Sequence, residues 1–447
     1  MSQDSFLVNT CIRRSLHDRA YLYSIFSSLR TSRLLCNVLN YAISFSHTLI
    51  RLNPTKDEQL KAINNINDAE LEFLKRSRGL NDSTDILVPP SRKKAILDFA
   101  SLNDLNLQIK QEHYGRSDEP IVERTARRRF QNFNLFSYNS YSAILQYIET
   151  LATTYPRLVT LENLGNSYEG RRMKLIKISS DPSKENPIIF IDAGVHAREW
   201  VAPAMALYLI NRLTTDREAQ KKILTGVDWY ILPVVNPDGY EFTRSSKANR
   251  LWRKTRSRTT FEGCYGVDGN RNYGYKWGVS GVSTNPCDRE TFAGQAPFSE
   301  PETQMVRNIM MRYAKRLKLY VSLHSYGNYL VYPWGYTGDV LPKEWQKLDT
   351  LARLVSEAIQ RAGGQPLKVM SAGKWYPAAG GSDDYAFGAV GVPYSYTMEL
   401  TDDHEFRFPE YLLRVVLPQF FQGFKAFGWQ IRREFSNVFI FGIYVIT

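Results

Sequence analysis

The stretch Ile188-Ile189-Phe190-Ile191-Asp192-Ala193-Gly194 constrains this chain more than any other. An isoleucine-rich run closed by glycine predicts a strand buried on both faces. Straight after it stand His196 and Glu199, spaced as H-x-x-E. An imidazole and a carboxylate at the mouth of a buried strand suit zinc, which takes nitrogen and oxygen donors at about 2 Å and keeps a position open for water in catalytic sites. Two donors do not complete such a site. Of the six histidines, His324 is the best third donor, because Leu319-Tyr320-Val321-Ser322-Leu323-His324 is again the end of an apolar strand. A third such run, Tyr394-Ser395-Tyr396-Thr397-Met398-Glu399, ends in an acid. In α/β sheets, sites form beyond the carboxyl ends of strands. Three strands are therefore expected to bring His196, Glu199, His324 and Glu399 to one edge.

The alternation of strands and helices over the second two thirds of the chain predicts an α/β class. Helical spacing appears at 141–151, 201–213, 302–317, 344–362 and 409–433, and strands at 175–178 and 229–232. Asn236-Pro237-Asp238-Gly239 reads as a turn. Ahead of this, strand, helix, strand, strand, helix, strand follow one another between residues 46 and 114, a split βαβ pattern with Ser91 as a helix cap. The expected organisation is an irregular extension at 1–45, a small α+β domain at 46–114, a basic linker at 115–129, an enzyme-sized domain at 130–434 and an apolar tail at 435–447. The linker carries Arg127, Arg128 and Arg129, a place where a trypsin-like or furin-like protease would cut.

Net charge is +12, and the excess is spread over both parts of the chain instead of on one face or tail, which argues against a nucleic-acid reader. No stretch reaches the roughly 20 apolar residues of a membrane span. Arg30 and Arg33 precede an apolar run at 34–45 that has the look of a signal segment, displaced from the start and broken by Asn37 and Asn40. Cys264 and Cys287 flank a loop rich in Gly, Asn and Ser, where a disulfide would restrain irregular backbone; two free thiols are the other reading.

Taken in order, His196-Ala197-Arg198-Glu199-Trp200, Asn270-Arg271-Asn272, His324-Ser325-Tyr326 and Glu399 resemble the pancreatic-type zinc carboxypeptidases A and B, and the likeness extends over residues 46–429. The resemblance implies a mixed eight-stranded sheet with helices on both faces, preceded by a ferredoxin-like pro-domain that covers the active site. It implies one Zn²⁺ per chain on His196, Glu199 and His324, with Glu399 as the general base. It further implies that Arg253 polarises the scissile carbonyl, that Asn270 and Arg271 clamp the terminal carboxylate with Arg250 among the substrate-binding residues, that Tyr376 closes over the substrate, and that Tyr326 belongs to a neighbouring subsite. The Cys264–Cys287 pair is bonded in the family, which points to secretion.

Asp383 matches the floor of the pocket for the C-terminal side chain. An acid there goes with Lys or Arg, unless Lys374 reaches and neutralises it, in which case apolar residues are favoured. The implied protein is a monomeric, secreted zymogen acting on peptide and protein C-termini. A catalytically dead binding homologue is the alternative, and the presence of every ligand and the base argues against it.

Overall fold

The computed structural model describes residues 46–66, 68, 71–77, 79–115, 133–401 and 405–436. The expected extension at 1–45, the Arg127-Arg128-Arg129 run and the tail from 437 lie outside them. The chain divides into two compact units between Thr125 and Ala126.

The first unit runs β1 (Ser46–Asn53), α1 (Asp57–Asn64), β2 (Glu72–Lys75), β3 (Thr84–Val88), α2 (Lys93–Leu102), β4 (Asn106–Gly115). Its sheet has the order β2-β3-β1-β4 with every pairing antiparallel, as the split βαβ pattern requires. Ile50 and Leu52 alternate inwards from β1 and meet Ile63 of α1 and Ile96 and Ala100 of α2. The residue before the first turn of α2 is Arg92, one position after the expected cap Ser91, and the Arg92 side chain makes no cap bond.

The second unit is built on a sheet of order β11-β10-β12-β9-β7-β8-β6-β5. These strands are β5 (Val159–Asn166), β6 (Arg172–Ile178), β7 (Ile188–Ala193), β8 (Asp228–Leu232), β9 (Leu317–Ser325), β10 (Tyr329–Tyr332), β11 (Lys368–Ser371) and β12 (Tyr394–Leu400). The central strands β8, β7, β9 and β12 run parallel, and the edges are mixed. The main helices are α3 (Tyr141–Thr154), α4 (Val201–Thr215), α5 (Pro237–Ser245), α6 (Pro301–Tyr313), α7 (Trp345–Arg361), α8 (Ala372–Trp375), α9 (Ser382–Gly388) and α10 (Glu410–Phe435).

All six residues of β7 are buried, as its composition predicts. Ile189, Ile191 and Ala193 enter one core with Met205 and Leu209 of α4 and Phe424 and Phe427 of α10. Ile188 and Phe190 enter the other, with Val306, Ile309 and Met310 of α6. Helices therefore cover both faces of the sheet. Truncating a residue such as Ile191 to Ala would cost about 2–5 kcal/mol through lost burial and the cavity left behind.

Asn236-Pro237-Asp238-Gly239 is not a free turn. It opens α5, with Pro237 at the first helical position and the Asn236 side chain accepting from Gly239 N at 2.8 Å. Cap and turn share this chemistry, since both need a side-chain acceptor followed by a fixed φ.

Candidate functional site

Three side chains meet beyond the carboxyl ends of β7 and β9. Gly194, at φ +68°, takes the chain out of β7 through the left-handed region that glycine tolerates, into the segment bearing His196 and Glu199. His324 is the penultimate residue of β9, and parallel pairing sets Glu399 of β12 beside it. His196 Nδ1 lies 2.8 Å from Glu199 Oε1, His324 Nδ1 lies 3.0 Å from Glu199 Oε2, and the two Nδ1 atoms are 3.1 Å apart. All three residues are buried, and no other group of three His, Cys, Asp or Glu among the described residues converges in this way.

Donors on a tetrahedral ion at about 2.0–2.1 Å stand about 3.3–3.4 Å from one another, and the two Nδ1 atoms, 3.1 Å apart, come close to that spacing. The electrostatics of the cluster agree. Burial, with the nearby Arg253, pushes His196 below the ordinary histidine value. Against the same burial, the Glu199 carboxylate lifts His324 to about 9, and the two histidines hold Glu199 far below the usual carboxylate range. The cluster attracts positive charge, and a divalent cation suits its two imidazoles and one carboxylate.

The outer nitrogens are occupied by other groups. His196 Nε2 is 3.0 Å from Asp268 Oδ1. His324 Nε2 is 3.1 Å from Ser322 Oγ, which donates to Asp192 Oδ1 at 2.7 Å. Burial lifts Asp192 to about 6, so its carboxylate is ionised at neutral pH. Fixing the second ring nitrogen in this way orients metal-binding histidines. Asp268 also takes Arg253 through Nε at 3.2 Å and Nη2 at 2.8 Å. Burial works against an ionised Asp268, yet Arg253, His196 and Arg271 hold it well below the ordinary range.

A cleft adjoins the cluster, lined among others by His196, Arg253, Asn270, Arg271, His324, Tyr376, Asp383 and Glu399. Arg271 is fixed by Gly281 O at 3.0 Å and by Asn270 O at 2.9 Å. Asn270 Oδ1 accepts from Ser382 N at 3.0 Å, which ties this pair to the start of α9. Tyr376 lies beneath the Arg271 guanidinium, 6.0 Å from it to the ring centre.

Asp383 is buried in α9, and burial raises its pKa. Among the described residues no lysine or arginine forms an ion pair with it. Lys374 is exposed and does not line the cleft. The neighbouring Asp384 accepts from Gly335 N at 2.8 Å and Tyr336 N at 2.9 Å, fixing the wall that Gly335 contributes.

Two expected substrate residues stand apart from the cleft lining. Arg250 stacks on Trp200 at 3.7 Å and donates to Arg198 O at 2.8 Å, and Tyr326 packs edge-on against Phe406 at 5.0 Å. A disulfide joins Cys264 to Cys287. Sequence reasoning missed Asp268, Ser322 and Asp192. The signal was available for Asp192, because an acid inside a strand buried on both faces must find donors.

A match to the family described as zinc carboxypeptidase covers residues 144–422, and one to the carboxypeptidase activation peptide covers residues 50–113. Carboxypeptidase B of Astacus astacus is 42% identical over 304 residues, 67% of this chain and 99% of that protein. Carboxypeptidase A2 of Rattus norvegicus is 33% identical over 389 residues, 84% of this chain and 91% of its own length. Among solved structures, carboxypeptidase A from Helicoverpa armigera superposes with a TM-score of 0.75 at 28% identity, covering 87% of this chain and 98% of that one. Thrombin-activatable fibrinolysis inhibitor gives 0.79 at 26% identity, covering 87% and 100%.

Proposed function

This chain belongs to the zinc carboxypeptidase family, and on that premise we propose that it removes lysine and arginine from the C-termini of peptides and proteins. It is a metallocarboxypeptidase made with an activation peptide, and zinc is its cofactor. The basic preference is carried by one observation, the buried Asp383 carboxylate that no described lysine or arginine pairs with. A buried charge without a partner is costly, so the pocket favours the side chain that brings the opposite charge. Gly335 in the cleft wall leaves length for it.

The His196, Glu199 and His324 cluster would hold the zinc, which when bound would supply Lewis acidity and lower the pKa of a water towards 7. Glu399 takes the proton of the attacking water and returns it to the departing amine. Arg253, kept charged against its burial by Asp268, Glu290 and Glu199, faces the oxygen on which negative charge develops. Arg271, with Asn270, takes the terminal carboxylate, a task suited to the planar guanidinium fork. Tyr376 closes over the substrate. Arg250 and Tyr326, grouped with Arg198 around Phe406, would contact residues further from the cleaved bond. The Cys264–Cys287 bond supports a secreted protein, and no helix among the described residues is long and apolar enough to cross a membrane.

The test is a pair of peptides differing only in C-terminal Arg or Phe. The activated enzyme is expected to show the higher kcat/KM for Arg. Asp383→Asn should erase that advantage by a factor of about 30 to 10³, the cost of unpairing a buried charge. A wild-type preference for Phe would reverse the assignment.

A further inference from the structure

The strands β7 and β9 share a buried polar device between their parallel backbones. Register pairing sets Asp192 opposite Ser322, with Tyr320 two pairs earlier, opposite Phe190. Asp192, Tyr320, Ser322 and His324 are each at most 1% exposed. Asp192 Oδ2 accepts from the Tyr320 hydroxyl at 2.6 Å, and Oδ1 accepts from the Ser322 hydroxyl at 2.7 Å. From these contacts we infer that Ser322, anchored by Asp192, is a positioning residue that selects which nitrogen of His324 faces the metal. The inference rests on the zinc assignment above and concerns how this chain prepares its own ligand.

The step is one of hydrogen counting. An ionised carboxylate only accepts, so the single hydroxyl hydrogen of Ser322 goes to Asp192. Ser322 Oγ then has lone pairs alone to offer His324 Nε2, 3.1 Å away, and Nε2 must carry the ring proton. Binding a cation requires the ring in its neutral form, which has one N–H, so Nδ1 keeps a free lone pair for it. That atom is the one directed at Glu199 and at His196 Nδ1. The two histidines are thus oriented by different means. His196 meets the Asp268 carboxylate directly, and His324 meets Asp192 through a hydroxyl.

A rival account gives Tyr320 and Ser322 no task beyond satisfying a buried acid. The two accounts separate in zinc affinity. Ser322→Ala in the full chain should weaken zinc binding about 10–100-fold, read by competition with a chromophoric chelator. Ser322→Thr, which keeps the hydroxyl, should restore most of it. Tyr320→Phe spares the Ser322–His324 contact and should lower thermal stability while leaving zinc affinity within about threefold of wild type. The wild-type protein gives a reading that needs no variant, since imidazole ¹⁵N shifts of the zinc-loaded form should show the His324 proton on Nε2. An unchanged zinc affinity in Ser322→Ala, or a proton on Nδ1, overturns the relay alone. A wild-type chain that takes up no zinc overturns both this inference and the metal assignment.

Discussion

At the scale of single residues, the site depends on a few buried carboxylates with distinct duties. Asp268 is hydrogen-bonded to His196 on one oxygen and to Arg253 on the other, so one side chain orients both a metal ligand and the cation facing the substrate. Glu199 lies within the cluster, while Glu399 lines the cleft without belonging to the donor set. That difference predicts a separation of effects. Glu399→Gln keeps the volume and removes the base. Zinc content should stay at one per chain while kcat falls by about 10²–10⁴, the range for acid–base groups. Turnover within threefold of wild type would exclude Glu399 from proton transfer. The donor and base residues were legible because they sit at the ends of apolar strands or in short motifs. Asp268 was not, because its task depends on two partners, 72 and 15 positions away, that only the folded chain brings near.

At the scale of elements, what could be read from sequence followed from burial. The strands β7 and β12 are buried throughout, β9 is buried except at Lys318, and all three are mostly apolar, so their positions and their shared edge were visible in advance. The strands β10 and β11 have four residues each, too few for a period to emerge, and β5 lies at the sheet edge with a mixed pattern. The helix α6 was expected to run to Leu317, but it stops at Tyr313 and Leu317 already pairs in β9. Its first turn holds Glu302, whose Oε1 accepts from Tyr168 N at 2.8 Å while Oε2 is buried with no hydrogen-bond partner. Burial raises Glu302 to about 7 from an ordinary 4.5. The folded state therefore binds this proton more tightly than the unfolded state, and stability falls as pH rises between those values. The full loss, reached above about pH 7, is on the order of 3 kcal/mol. Glu302→Gln removes this titration and keeps an acceptor for Tyr168. Unfolding by urea at pH 5 and pH 8 should show wild type losing stability relative to the variant, and parallel pH curves would place the titration elsewhere.

At the scale of the whole molecule, the chain is two units with separate cores. The smaller holds one cluster around Ile50, Ile86 and Ile96, matches the activation peptide family over residues 50–113, and contributes no residue to the metal cluster. The larger holds both faces of the eight-stranded sheet and every residue assigned to catalysis. A unit with its own cores should keep its fold when the chain is cut between them. The segment joining them carries Arg124 and the run Arg127-Arg128-Arg129, the recognition chemistry of a trypsin-like or furin-like protease. Limited trypsin treatment of the full chain is expected to cut at or near Arg129 and to raise activity towards a C-terminal Arg peptide. Sequencing the new N-terminus locates the cut, and replacing the three arginines by glutamine should abolish both the cut and the rise. The cleaved larger unit should unfold cooperatively and retain its zinc, which separates activation from damage. Full activity in the uncut chain would mean that the smaller unit does not restrain the enzyme, whatever protease meets the linker.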